Sequence, residues 1–214
     1  MHKGRLRWFA LLAGIVAVAV LVFAMREGND SPADRWAKAP AELRPVLWPN
    51  PHPVAPFRML TQRREVFGPA QLHGRWSLVF FGYLDCPDVC PATLLTLADL
   101  HRRLRADHGI DAGTQFLFVS VDPANDSPER LAGYLGYFDP GFTGLSGEPA
   151  QLAALARSLG AAYAGHVDER GVRSMEHSTS IVLVNPQGWV VGAFPAPHDP
   201  ARMERKFRQL IRIK

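Results

Sequence analysis

The sequence predicts a mixed α/β domain that follows an N-terminal membrane-spanning helix. Three patterns carry this prediction: an uncharged run at 8–25, two apolar runs at 77–82 and 116–121 with a helical repeat between them, and a C-terminal pair of apolar runs followed by an amphipathic segment. With 214 residues, 47% of them hydrophobic, the chain is long enough for one well-packed domain and additional segments.

The N-terminal run 8–25 has no charged residue and spans roughly 27 Å as a helix, close to the thickness of a bilayer's hydrocarbon core. Three basic residues lie within 1–7, whereas Arg26 after the run is offset by Glu27. We therefore predict a cytoplasmic N-terminus at 1–7, a transmembrane anchor at 8–25 and export of the remainder: a single-pass protein of the bacterial inner membrane with its domain in the periplasm. A cleaved signal peptide is the alternative, although the run is long for one.

The charge distribution argues against a nucleic-acid partner. Residues 1–27 hold four Lys/Arg and one acidic residue, which leaves a formal charge of +1 on the rest of a chain whose total is +4. A domain so close to neutral lacks the basic face that nucleic acid requires. We expect no nucleic-acid binding.

The segment 26–56 reads as a spacer between membrane and domain, because prolines interrupt any regular element. They are Pro32, Pro40, Pro45, Pro49, Pro51, Pro53 and Pro56. The domain is accordingly predicted at 57–214.

The first half of the domain reads as a hairpin followed by a β-α-β unit. A short hairpin is expected at 57–67, and the apolar runs 77–82 and 116–121 are typical of parallel strands covered on both faces. Between them, apolar residues recur at helical spacing: Leu94, Leu95, Leu97, Ala98, Leu100 and Leu104.

The second half adds helices and a closing hairpin. Ser127, followed by a proline, is expected to cap a helix, and another helix is expected at 149–159. The runs 180–184 and 189–194 predict a hairpin, and the last helix is expected at 200–213. A β-α-β unit, more helices and a β-β-α ending is the element order of a thioredoxin-like fold.

The chain's only two cysteines, Cys86 and Cys90, directly follow the first apolar strand. Because proline suits the first helical position, Pro91 places Cys90 as the N-cap of the helix and Cys86 in the preceding turn. The positive end of a helix favours the thiolate, so the thiol pKa values are expected to fall. Two adjacent thiolates can bind a soft metal or close into a disulfide.

The spacing of the pair leaves several chemistries open. Three residues separate the cysteines rather than the two of the usual thioredoxin-type redox motif, and a structural zinc site would want four ligands. Two thiolates and one imidazole suit copper(I). Among eight histidines, His177 is the candidate, because it stands just before the buried-looking strand at 181–184. Taken alone, a histidine there is more often a structural or exposed residue.

Three blocks of sequence resemble the Sco/SenC family in order and spacing. They are Phe81-Gly82-Tyr83-Leu84-Asp85-Cys86-Pro87-Asp88-Val89-Cys90-Pro91, then Val119-Ser120-Val121-Asp122-Pro123 with Asp126-Ser127-Pro128, then Glu176-His177-Ser178-Thr179-Ser180 with Asn185-Pro186-Gln187-Gly188. The resemblance implies a membrane-anchored, thioredoxin-fold copper chaperone that serves the dinuclear copper centre of cytochrome c oxidase. It also implies that Cys86, Cys90 and His177 are the copper ligands. The implied partners are a copper-receiving oxidase subunit, a copper donor chaperone and a thiol reductant.

Two alternatives use the same cysteines. One is a thiol-disulfide oxidoreductase that reduces the cysteines of an assembly partner, and a weaker one is a peroxidase acting through Cys86. General disulfide exchangers of this fold carry a proline just before the strand that faces the redox pair. Here that position holds Ser178-Thr179-Ser180, which argues against general exchange.

Overall fold

The computed structural model describes residues 38–167 and 173–212. The predicted basic N-terminus at 1–7 and the predicted anchor at 8–25 lie outside this range. Across 38–167 and 173–212, the helices are all too short or too polar to cross a membrane. The strands and helices named below belong to the compact unit that begins at Pro40.

Of the ten strands found in 38–167 and 173–212, eight form one mixed sheet and the other two form a separate antiparallel ribbon. The strands are β1 (Leu47–Pro53), β2 (Met59–Thr61), β3 (Val66–Phe67), β4 (Trp76–Gly82), β5 (Thr114–Ser120), β6 (Phe142–Ser146), β7 (Tyr163–Val167), β8 (Arg173–His177), β9 (Ile181–Val184) and β10 (Trp189–Phe194). The sheet order is β1-β10-β9-β4-β5-β6-β2-β3, and β7 pairs with β8.

Helices cover this sheet, and one of them contacts three of the others. They are α1 (Val89–Leu104), α2 (His108–Ala112), α3 (Pro128–Phe138), α4 (Pro149–Ser158) and α5 (Pro200–Leu210), with a short 3₁₀ helix at Pro69–Leu72. α1 contacts α5, α2 and α3. The predicted cap of α3 is confirmed, because the Ser127 hydroxyl accepts a hydrogen bond from the N–H of Arg130.

The two apolar runs form the centre of the sheet, as predicted. β4 and β5 are parallel, with Phe80 opposite Phe118, and β9 runs antiparallel to β4 with Leu183 opposite Leu78. All four side chains are buried. Because parallel strands end at the same edge of a sheet, the C-terminal ends of β4 and β5 place their following loops side by side.

The segment predicted as a spacer contributes a strand to the sheet. β1 lies within 26–56 and pairs antiparallel with β10 at one edge. Its prolines are tolerated because an edge strand has one side without a partner. Close approach depends on Gly192, where a Cβ would lie 2.0 Å from the carbonyl oxygen of Val46. The folded domain therefore begins before residue 57.

The strands β6, β7 and β8 also escaped prediction, for local reasons. In β6, the apolar pattern is broken by Gly144, where a Cβ would lie 2.7 Å from the Cδ1 of Leu135 on α3. β7 is mostly exposed and pairs only with β8, so it carries no periodic apolar signal. The last helix is shorter than predicted and ends at Leu210.

Candidate metal centre

The loop between β4 and α1 carries both cysteines. α1 begins at Val89 with Asp88 as its N-cap, so the prediction that Cys90 is the N-cap is wrong. Pro91 is instead the third helical residue, which is compatible because the first four N–H groups of a helix have no partner within it. This shift places Cys90 inside the first turn, where its side chain is completely buried.

Gly82 makes room for the Cys90 sulfur at the end of β4. A Cβ at this position would lie 2.8 Å from the Sγ of Cys90 and 2.8 Å from the ring of Phe118. Only glycine leaves this space free. The glycine is therefore required by the packing of the sulfur against the sheet.

The structure brings Cys86, Cys90 and His177 together. The Sγ atoms of both cysteines and a ring nitrogen of His177 all lie within 4.8 Å of one another, and both cysteines are free thiols. The Nε2 of His177 is 3.3 Å from the Sγ of Cys90. Across 38–167 and 173–212, this is the single group of three His, Cys, Asp or Glu side chains whose ligand atoms meet in this way.

Hydrogen bonding fixes the tautomer of His177. Its Nδ1 lies 3.1 Å from the carbonyl oxygen of Ser178. A carbonyl oxygen can only accept, so Nδ1 carries the proton and donates. Nε2 is then the acceptor of the Cys90 thiol proton, and it presents its lone pair to the sulfurs.

Aromatic side chains hold the imidazole ring of His177. The ring of Phe80 lies 5.7 Å away at 78°, and the ring of Tyr83 lies 6.1 Å away at 82°. These edge-to-face contacts bury part of the imidazole. Burial lowers the pKa of His177, with the hydrogen bond to Ser178 opposing the shift, so the ring is neutral and able to ligate a metal at pH 7.

The strand that carries His177 is fastened beside the site. His177 ends β8 opposite Tyr163 of β7. The next residue closes the ribbon, because the N–H of Ser178 donates to the carbonyl of Ala162 and the Ser178 hydroxyl accepts from the N–H of Ala162. The Met175 thioether lies against Gly165 of β7, where a Cβ would be 3.3 Å from the sulfur.

Burial changes the expected chemistry of Cys90. Desolvation raises the pKa of the Cys90 thiol far above its ordinary value, and the N–H of Tyr83 only partly opposes this. The expectation that the helix end lowers this pKa is therefore wrong, since loss of water around the sulfur outweighs the helix dipole. Without metal, Cys90 keeps its proton.

Charged residues outside the ligand set brace the cysteine loop. Arg130 of α3 pairs with Asp85 at 2.6 Å and donates to the carbonyl of Asn125. The buried Asp126 accepts from the Ser120 hydroxyl at 2.6 Å and from the N–H of Leu84 at 3.3 Å. Neither Asp126 nor Arg130 was predicted to support the site, although Asp126 lies in the second block of resemblance.

The donor set fits copper(I). Two sulfur ligands and one neutral imidazole nitrogen match the preference of this soft ion for few, soft ligands. A tetrahedral zinc site would want a fourth Cys, His or carboxylate ligand. None of the described residues adds one to this group.

Comparisons with known proteins agree with this arrangement. The SCO1/SenC family matches residues 49–212. The mitochondrial SCO2 homologue of Bos taurus is 38% identical over 133 residues, which are 62% of this chain and 50% of that protein, so the match spans half the length of this relative. Bradyrhizobium japonicum ScoI with copper bound superposes with a TM-score of 0.67 at 31% identity, covering 76% of this chain and 100% of that one. Copper-bound yeast Sco1 superposes with a TM-score of 0.68 at 28% identity, covering 75% of this chain and 88% of that one. These matches also confirm the thioredoxin-like fold, and the chain belongs to the SCO1/SenC family.

Proposed function

We propose that this chain is a membrane-anchored copper chaperone that delivers copper to the dinuclear copper centre of cytochrome c oxidase during assembly. The observation that carries the proposal is the convergence of Cys86, Cys90 and His177, two thiols and a neutral imidazole within 4.8 Å. Family membership and the copper-bound relatives support it.

The three proposed ligands differ in burial, which suits staged transfer. Cys90 is fully buried, Cys86 is 9% exposed and His177 is the most exposed of the three. An incoming ligand from the acceptor reaches the imidazole first and the Cys90 sulfur last. His177 is then the ligand exchanged first, and Cys90 keeps the cargo until the acceptor has supplied its own sulfur.

Proton movement accompanies copper uptake. In the metal-free protein, the Cys90 thiol donates its proton to the Nε2 of His177 in a hydrogen bond. Both atoms must turn their lone pairs to the ion, so the thiol proton leaves to solvent when copper arrives. The chain fixes the positions of the donor atoms, and the free energy of copper binding drives the ionisation of the buried thiol.

Copper loading requires reduced cysteines. Closing Cys86 and Cys90 into a disulfide removes two protons and two electrons and leaves no thiolate to bind copper. The chain therefore needs a thiol reductant as well as a copper donor chaperone. The acceptor is the copper-receiving subunit of cytochrome c oxidase.

The proposed location is the bacterial inner membrane with the domain in the periplasm. The support is the uncharged run 8–25 and the excess of basic residues in front of it. Fractionation of cells that produce the full chain tests this: the protein should stay in the membrane after alkaline washing, and its domain should be cleaved by protease added to spheroplasts. Release into the soluble periplasm would indicate cleavage instead.

Copper(I) titration of the reduced protein under anaerobic conditions tests the chaperone function. We expect one copper ion per chain, with affinity falling at least tenfold in His177→Ala and much further when both cysteines are replaced by serine. His108→Ala is the matched control, because that side chain is exposed on α2 away from the group. Undiminished binding in His177→Ala, or in the double cysteine variant, rejects the assignment.

Thiol-disulfide exchange is the second candidate, and the free, adjacent thiols favour it. The test measures turnover on a disulfide-containing partner peptide with and without copper. Turnover that survives His177→Ala supports reductase work, because electron transfer between thiols does not need the imidazole. Turnover that is absent in the wild type leaves copper carriage as the function.

A further inference from the structure

The exposed side of α5 forms a groove with the segment that leads into β1. Leu43 and Val46 of that segment are buried, and the Gln209 amide of α5 donates a hydrogen bond to the Glu42 carboxylate at 2.9 Å. This α5 groove has a volume of about 340 Å³ and is lined by side chains from both elements: Glu42, Pro45, Arg202, Arg205, Lys206 and Gln209. Half of these side chains are cationic and one is anionic, so the groove carries a net positive charge.

The cations of the α5 groove differ in their partners from Arg208, which lies on the flank of α5 that contacts α1. Arg208 pairs with Glu204 at 3.0 Å and donates to a backbone carbonyl of α1. Across 38–167 and 173–212, no carboxylate oxygen lies within 4.0 Å of the charged groups of Arg202, Arg205 or Lys206. Their positive charge is therefore available to a partner outside the domain.

Like charges also repel one another inside the α5 groove. Arg202 and Lys206 stand four residues apart on α5, the spacing at which side chains are neighbours on a helix surface. Burial, followed by the charge of Arg202, lowers the pKa of Lys206, and Glu42 opposes the shift. An anion between these side chains would relieve the repulsion. The groove is therefore suited to a negatively charged occupant.

The predicted anchor keeps the α5 groove within reach of a membrane. Glu42, which lines the groove, follows the end of the uncharged run 8–25 by 17 residues. Even fully extended, a chain of this length spans at most about 60 Å. A short tether gives the bilayer a high effective concentration at the groove. Phospholipid headgroups are thus the anions that the groove meets most often.

We propose that the α5 groove docks on the anionic phospholipid surface of the membrane to which the chain is tethered. The planar guanidinium groups of Arg202 and Arg205 match phosphate oxygens with paired hydrogen bonds, and Lys206 supplies a third positive charge. The inference rests on the proposed membrane anchoring and is independent of copper binding. Docking restricts the rotation of the domain about its tether.

Acetylation of Lys206 tests this docking in the full chain. The chain is placed in nanodiscs of phosphatidylcholine alone, or of phosphatidylcholine mixed with phosphatidylglycerol, treated briefly with an acetylating reagent and measured by mass spectrometry. We expect Lys206 to react several-fold more slowly in the anionic discs, because a phosphate beside the ammonium shields it and keeps it protonated. At about 1 M salt, where the screening length falls to about 3 Å, this difference should disappear.

Arg205→Glu and Arg63→Glu are matched variants for this experiment. Both arginines are exposed, but Arg63 lies between β2 and β3, at the opposite edge of the sheet from β1. A cation close to an anionic surface favours binding by about fivefold. Arg205→Glu should therefore raise the Lys206 rate in anionic discs to nearly that in neutral discs, whereas Arg63→Glu should behave as the wild type does. Unchanged copper binding shows that both variants are folded.

The outcomes separate this proposal from the proposed anchoring. Equal Lys206 rates in the two kinds of disc, or equal effects of Arg205→Glu and Arg63→Glu, overturn the docking and direct the search to an acidic protein surface. A chain that does not enter the discs overturns the anchoring instead. Sedimentation of that chain with vesicles of the same two compositions then tests the groove, and binding that is equal to both overturns the docking as well.

Discussion

The Nε2 of His177 lies 3.3 Å from the Sγ of Cys90, although 87 residues separate the two in sequence. Cys90 belongs to the first turn of α1, and His177 ends β8 in a ribbon outside the central sheet. The candidate metal centre therefore forms only when the ribbon docks against the end of β4.

Replacing Gly82 by alanine should damage both stability and copper binding. The added Cβ would meet the Cys90 sulfur and the Phe118 ring, each at 2.8 Å. Overpacking of this kind costs about 1–3 kcal/mol, which urea unfolding measures. Gly133→Ala is the control, because a Cβ there meets nothing within 4 Å and the position lies inside α3. That change should stabilise the protein by about 0.5–1 kcal/mol. Equal stability of Gly82→Ala and wild type would contradict the close packing.

Copper affinity should rise with pH because of Cys90. Burial raises the pKa of this thiol, so it is protonated at pH 7 and must lose its proton when copper binds. Burial also lowers the pKa of His177, which makes the imidazole neutral at the same pH. We expect the Cys90 thiol alone to contribute about a tenfold gain in affinity per pH unit. Chelator competition between pH 6.5 and 8 measures the slope.

A control variant separates the contribution of the Cys90 thiol to this pH dependence from that of the His177 imidazole. His177→Ala should weaken binding at every pH in that range while keeping the slope, because the neutral ring releases no proton. Affinity that does not change with pH would mean that Cys90 is already ionised without metal.

Asp126 should make the domain's stability depend on pH. Burial raises the pKa of its carboxyl, while Ser120 and the N–H of Leu84 oppose the shift. The folded state therefore holds this proton to higher pH than the unfolded state, whose value is about 3.9. The stabilising contribution is complete below the unfolded pKa and is lost as pH rises through the folded pKa. The unfolding free energy of wild type minus that of Asp126→Asn should thus fall as pH rises from about 3.5 to 7.

Asp199→Asn supplies the control of opposite sign. The backbone N–H of Arg202 lowers the pKa of Asp199, which caps α5. Its contribution is present above the unfolded pKa and is lost as pH falls through the folded pKa, so the corresponding difference should grow as pH rises. Urea unfolding of the wild type and both variants across this pH range measures the two free-energy differences. A constant difference for Asp126→Asn would show that burial does not govern its proton.

Arg130 should matter for copper more than for stability. Its ion pair with Asp85 is exposed, and solvent screens such pairs so that they contribute little to stability. The same pair holds the residue that precedes Cys86, so Arg130→Ala should lower copper affinity several-fold. Arg64→Ala is the matched control. Arg64 makes an exposed ion pair with Glu129 that is equally short, at 2.6 Å, and neither residue belongs to the cysteine loop. Equal effects of the two variants on copper binding would show that Arg130 does not support the site.

The strands and helices that the sequence predicted are those whose burial gives a regular pattern of apolar residues. β4 and β5 are apolar throughout because both faces are covered, and α1 repeats leucine at helical spacing because one side packs on the sheet. β1 was missed because its prolines are acceptable only at an edge, and a single sequence does not reveal which strand is the edge. β7 carries no signal because it is mostly exposed.

The site was predictable to a different extent for each proposed ligand. The cysteine pair stands out because the chain holds no other cysteines, but whether Cys90 caps or enters the helix depends on packing against Gly82. His177 alone is ambiguous among eight histidines, and it emerged through resemblance to the Sco/SenC family. The ring contact of Tyr83 with His177 and the hydrogen bond from the N–H of Leu84 to Asp126 join segments far apart in sequence, which no local pattern records.

The edge position of β1 has a mechanical consequence for the anchored protein that we propose. A pull on the chain at Pro40 would be resisted by the burial of Leu43 and Val46 and then by the hydrogen bonds between β1 and β10. In the order β1-β10-β9-β4, two strands lie between β1 and β4, the strand that leads into the cysteine loop. Such a pull would therefore strain the outer strands of the sheet before it reaches the strand that leads into the cysteine loop.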